Sequence, residues 1–356
     1  MIDLLTQESA INFSPGPAYL PDYVNKKLIK TLNDRLKNGK SILEVSHRSS
    51  EFIEVYNRLK EKIVSTLDIP KNYSILFMPG GARGQNAAIA LNMSTLTNKS
   101  PIYLTTGYWS EQSAIEAKKY VKVIKRDLSN YSDFDPQSSY YFYTNNETID
   151  GVYFSNTNIT HSNIVCDMTS SLFVIKENIR NFGAIFASSQ KNLGLPGLTL
   201  LIIKNSILKA VTPLEITPSI LNYKIQFEKD SMYNTPVNIT WLTSDYMLDW
   251  INSQGLETIR EVISFKSNNI YDFIDNSKLF SAKVEHSMRS KINIVFTTNN
   301  LETDNKCIKH LEENNIIGVK GHKISGGIRI SLYASNYNFN HNYLINCLKT
   351  FENKHT

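Results

Sequence analysis

Two residues of this chain have types and surroundings suited to covalent chemistry on a carbonyl group, Asp167 and Lys191. Asp167 closes the run Ile164-Val165-Cys166-Asp167, and Lys191 follows Ala187-Ser188-Ser189-Gln190. Each apolar run reads as a strand, so the acid and the amine both sit at strand carboxyl ends. In an open α/β sheet ligands bind in the crevice at those ends, which would bring the two side chains to one place. A lysine there can form a Schiff base with a carbonyl cofactor. An acid there can pair with a protonated pyridine nitrogen and keep such a ring an electron sink. On residue type alone the plainer alternative has the advantage: Asp167 caps a turn and Lys191 is solvated, as strand-end Asp and Lys commonly are.

The elements that would position these groups follow from apolar period. Residues 40 to 205 alternate helix and strand. Ser49 or Ser50 can cap a helix whose apolar positions are Phe52, Tyr56, Leu59, Ile63 and Leu67, with Pro70 beyond its end. Strand-like runs follow at Ser74–Met78, Ile102–Thr105, Lys122–Lys125, Tyr140–Tyr143, Ile164–Cys166, Ala184–Ala187 and Leu198–Ile203. Between the first two lie the turn Gly80-Gly81-Ala82-Arg83-Gly84 and a small-residue helix from Gln85 to Met93. Such alternation predicts an α/β fold with a mostly parallel sheet flanked by helices.

The tail has another pattern. Ile292, Ile294 and Phe296 alternate as a half-buried strand, a helix passes through Cys307 and Leu311, and Ile328, Ile330 and Leu332 form a second alternating strand before a last helix near Leu344–Phe351. This predicts a smaller α+β domain of residues 255–356 joined by residues 1–17, beside a large domain of residues 18–254. Period two puts Arg329 opposite Ile328 and Ile330, either solvated or aimed into a cleft, and pattern alone favours solvation.

Eight stretches, in order, resemble the phosphoserine aminotransferase family of the class V aminotransferases. They are Asn12–Ala18, Glu44–Arg48, Gly80–Gln85, Gly107–Trp109, Asn146–Gly151, Ser189–Gly194, Asn234–Pro236 and Lys320–His322. The resemblance implies an aminotransferase-like fold and pyridoxal 5'-phosphate as cofactor. It implies that Lys191 holds the cofactor as a Schiff base and moves the Cα proton, while Asp167 pairs with the pyridine nitrogen. Thr148 would reach the ring's phenolic oxygen and Trp109 would stack on its face. The phosphate would lie on the Ala82 and Arg83 backbone and on Gln190, with Asn234 and Thr235 reaching it from the other subunit of a homodimer. A helix N-terminus suits that anion, because it presents free N–H groups and positive partial charge.

The substrates so implied are O-phosphoserine or 3-phosphohydroxypyruvate with glutamate or 2-oxoglutarate, and a phosphorylated hydroxythreonine of cofactor synthesis as a second donor. Their phosphate and carboxylate call for cations, which by resemblance are His47, Arg48, Arg83, His322, Lys323 and Arg329. Arg329 would grip the α-carboxylate through its planar fork. The family usually has arginine where this chain has Lys323, which keeps the charge and loses the fork. Ala82 also stands where many members have glycine, a small change for the loop.

Composition narrows the alternatives. The 356 residues carry 38 Lys+Arg against 33 Asp+Glu, a net charge of +5. The bases alternate with acids, as in Asn57-Arg58-Leu59-Lys60-Glu61-Lys62, which reads as a solvated helix face and not a nucleic-acid track. Seven histidines lack metal-ligand spacing, and none is expected to hold a metal. A lyase or cysteine desulfurase on the same scaffold is a rival, but Cys307 falls in a helical pattern and Cys166 inside a strand. Cys166, Cys307 and Cys347 form no CxxC pair, which suits free thiols in a reducing compartment. With no signal-type N-terminus, and with the strongest apolar run, Leu198–Ile203, far too short to span a bilayer, the expectation is a cytoplasmic protein.

Overall fold

The computed structural model describes residues 10–127, 130, 135–155, 159 and 161–356. Part of the 1–17 segment assigned to the smaller domain, residues 1–9, therefore lies outside the described residues.

Among the described residues the main sheet has seven strands, β1 (Tyr73–Met78), β2 (Ile102–Leu104), β3 (Ile124–Arg126), β4 (Tyr141–Thr144), β5 (Ile164–Asp167), β6 (Ala184–Ser188) and β7 (Thr199–Lys204). Their order is β1-β7-β6-β5-β4-β2-β3. β7 alone runs opposite to the other six strands. The middle strands are buried along their whole length, which is why they read as apolar runs without alternation: helices cover both faces. The parallel register pairs Asp167 with Phe186, so the ends of β5 and β6 lie side by side.

The ten helices among the described residues are α1 (Asp22–Asn33), α2 (Ser50–Leu67), α3 (Gly81–Met93), α4 (Tyr108–Ala117), α5 (Asn205–Ala210), α6 (Tyr223–Glu228), α7 (Asn238–Gln254), α8 (Leu256–Asp275), α9 (Leu301–Glu313) and α10 (His341–His355). In α2 the Ser49 hydroxyl accepts from the Phe52 N–H at 3.3 Å, and Phe52, Tyr56, Leu59 and Ile63 are buried as the period predicts. Its charged face is not simply solvated. Arg58 and Lys62 both reach the buried Asp245 of α7, at 3.1 and 2.6 Å.

Helix α3 begins at Gly81, four residues before the expected Gln85. Glycine disfavours helix interiors, so Gly81 and Gly84 read as turn. Close packing overrides that propensity, since a Cβ on Gly84 would lie 3.2 Å from the Pro79 carbonyl oxygen. Gly80, at φ 86°, makes the left-handed entry.

The tail forms a three-stranded antiparallel sheet of β8 (Ser281–Ala282), β9 (Asn293–Thr297) and β10 (Ile328–Ser331). The half-buried alternation expected there is corrected by the structure, because every residue of β9 and β10 is buried. The second face is covered by residues 146–151 of the larger layer: Ser290 N–H donates to the Gly151 carbonyl at 2.8 Å, and Asn146 donates to Asn293 at 2.7 Å. One apolar cluster runs from Phe13 to Phe351 through both sheets. Among the described residues no helix is long and apolar enough to cross a membrane.

Candidate active site

A cavity of about 550 Å³ opens at the carboxyl ends of β5 and β6. It brings together seven residues named from sequence, Ala82, Arg83, Trp109, Thr148, Asp167, Gln190 and Lys191. A somewhat larger cavity of about 610 Å³ lies elsewhere, but its Lys176, Arg180 and Arg260 are already paired with Glu257 and Asp68. The first cavity, which holds the strand-end acid and amine, is the candidate active site.

Lys191 Nζ donates to Thr148 Oγ1 at 2.6 Å. Burial pushes its amine down to about 8, with Arg329 adding to the shift and Asp167 and Glu147 opposing it. A lysine in that range supplies neutral amine near neutral pH, which solvated lysines do not. Asp167 is 7% exposed, and one of its oxygens accepts the Thr169 N–H at 2.8 Å. The turn-capping alternative is thus realised, and the same carboxyl still lines the cavity. Burial raises its pKa, against the opposing effects of the Thr169 bonds and Lys191.

The wall beside these groups suits an anion. Helix α3 starts with no side-chain cap and no acid in its first turn, and Gly81, Ala82 and Arg83 all line the cavity. Ser188 donates to the Gln190 side chain beside them. The Arg83 guanidinium lies 5.3 Å from the Trp109 ring centre. From Trp109 the aromatic contacts continue to Tyr108 at 5.2 Å and from Tyr108 to His322 at 5.9 Å.

Arg329 corrects the solvated reading. It is 5% exposed, and its Nη1 donates to the Thr148 carbonyl at 3.2 Å. Its Nε is buried with no hydrogen-bond partner among the described residues. Alternation along β10 reported only that Arg329 faces away from Ile328 and Ile330; the 146–151 segment then closes over that second face.

Neither Arg329 nor the remaining candidates are among the residues that line the cavity of a single chain. His47 and Arg48 precede α2, with Arg48 exposed. Asn234 donates to the Thr235 carbonyl at 3.1 Å, and Thr235 is exposed. His322 is half-buried against Tyr108, whereas Lys323 is exposed.

Some residues of the site carried no assigned role in the sequence. Glu147 is fully buried and accepts the Trp109 and Ser110 N–H groups, each at 2.8 Å, while Asp150 accepts the Tyr108 N–H at 2.8 Å. Burial pushes Glu147 up to about 7, against the lowering effect of the Ser110 and Trp109 bonds. Asn146 joins Ser170 to Asn293, and Tyr333 donates to the Pro15 carbonyl at 2.6 Å. Their partners lie far away in the chain, so local spacing held no signal for them. Among the described residues no three metal-ligating side chains cluster.

Comparison with known proteins places this geometry in context. Residues 10–340 match the family model described as aminotransferase class-V. The phosphoserine aminotransferase of Blochmanniella floridana is 34% identical over 359 residues, covering 97% of this chain and 98% of that protein. The solved phosphoserine aminotransferase of Bacillus circulans subsp. alkalophilus superposes with a TM-score of 0.91 at 29% identity, covering 98% and 100% of the two chains. A phosphoserine aminotransferase from Trichomonas vaginalis, solved with PLP bound, gives 0.87 at 28% identity over 96% and 99%.

Proposed function

The chain belongs to the class-V aminotransferase family, and from that premise we propose that it exchanges the amino group between glutamate and 3-phosphohydroxypyruvate, giving 2-oxoglutarate and O-phosphoserine. The observation that carries this is the convergence of a lysine lowered to about 8 and a buried acid in one cavity beside an uncapped helix N-terminus. That donor set fits pyridoxal phosphate: an amine for its carbonyl, a carboxyl for its ring nitrogen and backbone N–H groups for its phosphate. Full-length relatives named phosphoserine aminotransferase support the choice of substrate.

When bound, pyridoxal phosphate supplies the electron sink that makes an amino acid's Cα proton removable. Lys191 would hold the cofactor through its amine and would serve as the base that moves the substrate's Cα proton. Its contact with Thr148 aims the amine, and desolvation keeps part of it neutral. Asp167 would keep the ring nitrogen protonated; a carboxyl whose pKa burial has raised gains most from a cationic partner. Ala82, Arg83 and Gln190 would hold the cofactor phosphate, Thr148 the phenolic oxygen, and Trp109 the ring face. Arg329 takes the substrate α-carboxylate, for which a buried guanidinium with an unpartnered Nε is suited.

The substrate phosphate needs more cations than the cavity of one chain supplies. His47, Arg48, His322 and Lys323 are assigned to it, with Asn234 and Thr235 completing the cofactor phosphate site of a partner subunit. Ile216, Phe227, Tyr233 and Val237 are 66, 49, 45 and 50% exposed around that segment, which supports a homodimer burying them. A phosphorylated hydroxythreonine presents the same two anions and is the second substrate of this proposal. Gly255, at φ 83° between α7 and α8, marks the proposed start of the smaller domain. Three buried thiols with no disulfide suit a reducing compartment such as the cytoplasm. Burial also raises the pKa of Cys166 and pushes Cys307 up to about 12, which disfavours sulfur transfer.

The test is phosphoserine-dependent formation of glutamate from 2-oxoglutarate by purified protein loaded with cofactor. Ping-pong kinetics is expected. No glutamate, with sulfide released from cysteine instead, would replace this reading by the desulfurase.

A further inference from the structure

Glu147 lies outside the cavity lining, yet it is a fully buried acid one residue from Thr148. Helix N-termini are usually capped by the side chain of the residue just before the helix. For α4 that residue is Gly107, which has none to offer, and the caps come from a distant segment. Glu147 accepts from Trp109 and Ser110 with its two oxygens, and Asp150 accepts from Tyr108. The fit is close: a Cβ on Gly107 would stand 2.5 Å from Asp150 Oδ2 and 2.7 Å from Glu147 Cγ. A solvated cap would do for helix stability alone, whereas a dry carboxylate carries a desolvation cost. What burial adds here is rigidity between two walls of the site. Three successive residues contact three different parts of the molecule: Asn146 the tail sheet, Glu147 the turn bearing Trp109, and Thr148 the Lys191 amine.

We propose that Glu147 is a positioning residue which, by holding the Trp109 and Ser110 N–H groups, fixes the Trp109 indole against the cofactor ring in register with Thr148 and Lys191. This rests on the stacking role given to Trp109 above. A double-mutant cycle on cofactor binding tests it, read by equilibrium dialysis of pyridoxal phosphate from each holoprotein and by circular dichroism in the cofactor band. Glu147→Gln leaves an oxygen for one of the two N–H donors and turns an NH2 against the other, and it should raise the cofactor dissociation constant roughly ten- to hundredfold with a weaker cofactor dichroism. Trp109→Ala should raise it as well. The double variant should bind no worse than Trp109→Ala, because Glu147 acts through that ring. If the two losses multiply, Glu147 acts elsewhere and the proposal is overturned. If Trp109→Ala binds cofactor like the parent protein, the stacking role itself falls and takes the proposal with it. Should Glu147→Gln not accumulate folded, Glu147→Asp replaces it in the cycle, where a loss absorbed by Trp109→Ala supports the proposal and a multiplied loss overturns it. If neither variant accumulates, Glu147 is a folding determinant and the proposal fails.

Discussion

At the scale of the residue, the site depends on an amine that is more acidic than a solvated lysine. The folded-state value for Lys191, about 8, lies below its ordinary 10.5. Between those values the folded apoprotein holds fewer protons than the unfolded chain, so this group's contribution to stability rises with pH there and its penalty is full below pH 8. Uptake of pyridoxal phosphate by apoprotein should accordingly speed up with pH, inflect near 8 and level off above it, as followed by borohydride trapping and mapping of the Lys191 peptide. An inflection near 10.5 would mean the amine is solvated. Lys323 supplies a second test. A point charge replaces the fork usual in the family, and a lost charge-assisted hydrogen bond is worth roughly 1.5–3 kcal/mol. Lys323→Arg should therefore lower the apparent KM for phosphoserine by about one power of ten with little change in kcat. Steady-state kinetics without that gain would remove Lys323 from the phosphate site.

At the scale of the element, charge also holds helices in place. Asp245 of α7 is 1% exposed and takes both Arg58 and Lys62 of α2, while Lys62 reaches on to Asp249 at 2.5 Å. Both cations are partly solvated, which discounts the pair relative to a fully buried one. Asp245→Asn should cost about 1–3 kcal/mol, seen as a lower urea midpoint, with cofactor affinity unchanged. A midpoint unmoved by the substitution would make these contacts incidental. The charged face of α2 is thus a docking face, and its alternating sequence did not distinguish docking from solvation because the partner acid lies on another helix.

For the whole molecule, the proposed homodimer with shared sites is tested by mixing variants. Protein carrying Lys191→Ala alone should lose turnover by at least about 10²–10⁴-fold, the usual worth of general acid–base catalysis. Protein carrying Asn234→Ala and Thr235→Ala should bind cofactor poorly. Co-refolding the two variants should recover activity, since a heterodimer has one site with Lys191 in place and intact 234 and 235 residues from the other subunit. A mixture no more active than its parts, with a monomer in solution, would refute shared sites.

Much of this protein was legible in one dimension. The period of each segment determined the α/β class, the strands of the main sheet and the placement of Asp167 and Lys191 at strand ends, because burial on a sheet or helix face imposes a local repeat. Motif order added the family and the residues around the cavity. Tertiary structure alone decided that Arg329 is dry, that β9 and β10 are buried on both faces, that α3 begins at Gly81, and that Glu147 caps a helix whose first turn lies about 40 positions upstream. Each of these depends on which distant segment closes over a surface, and a local repeat records that a face exists without recording what covers it.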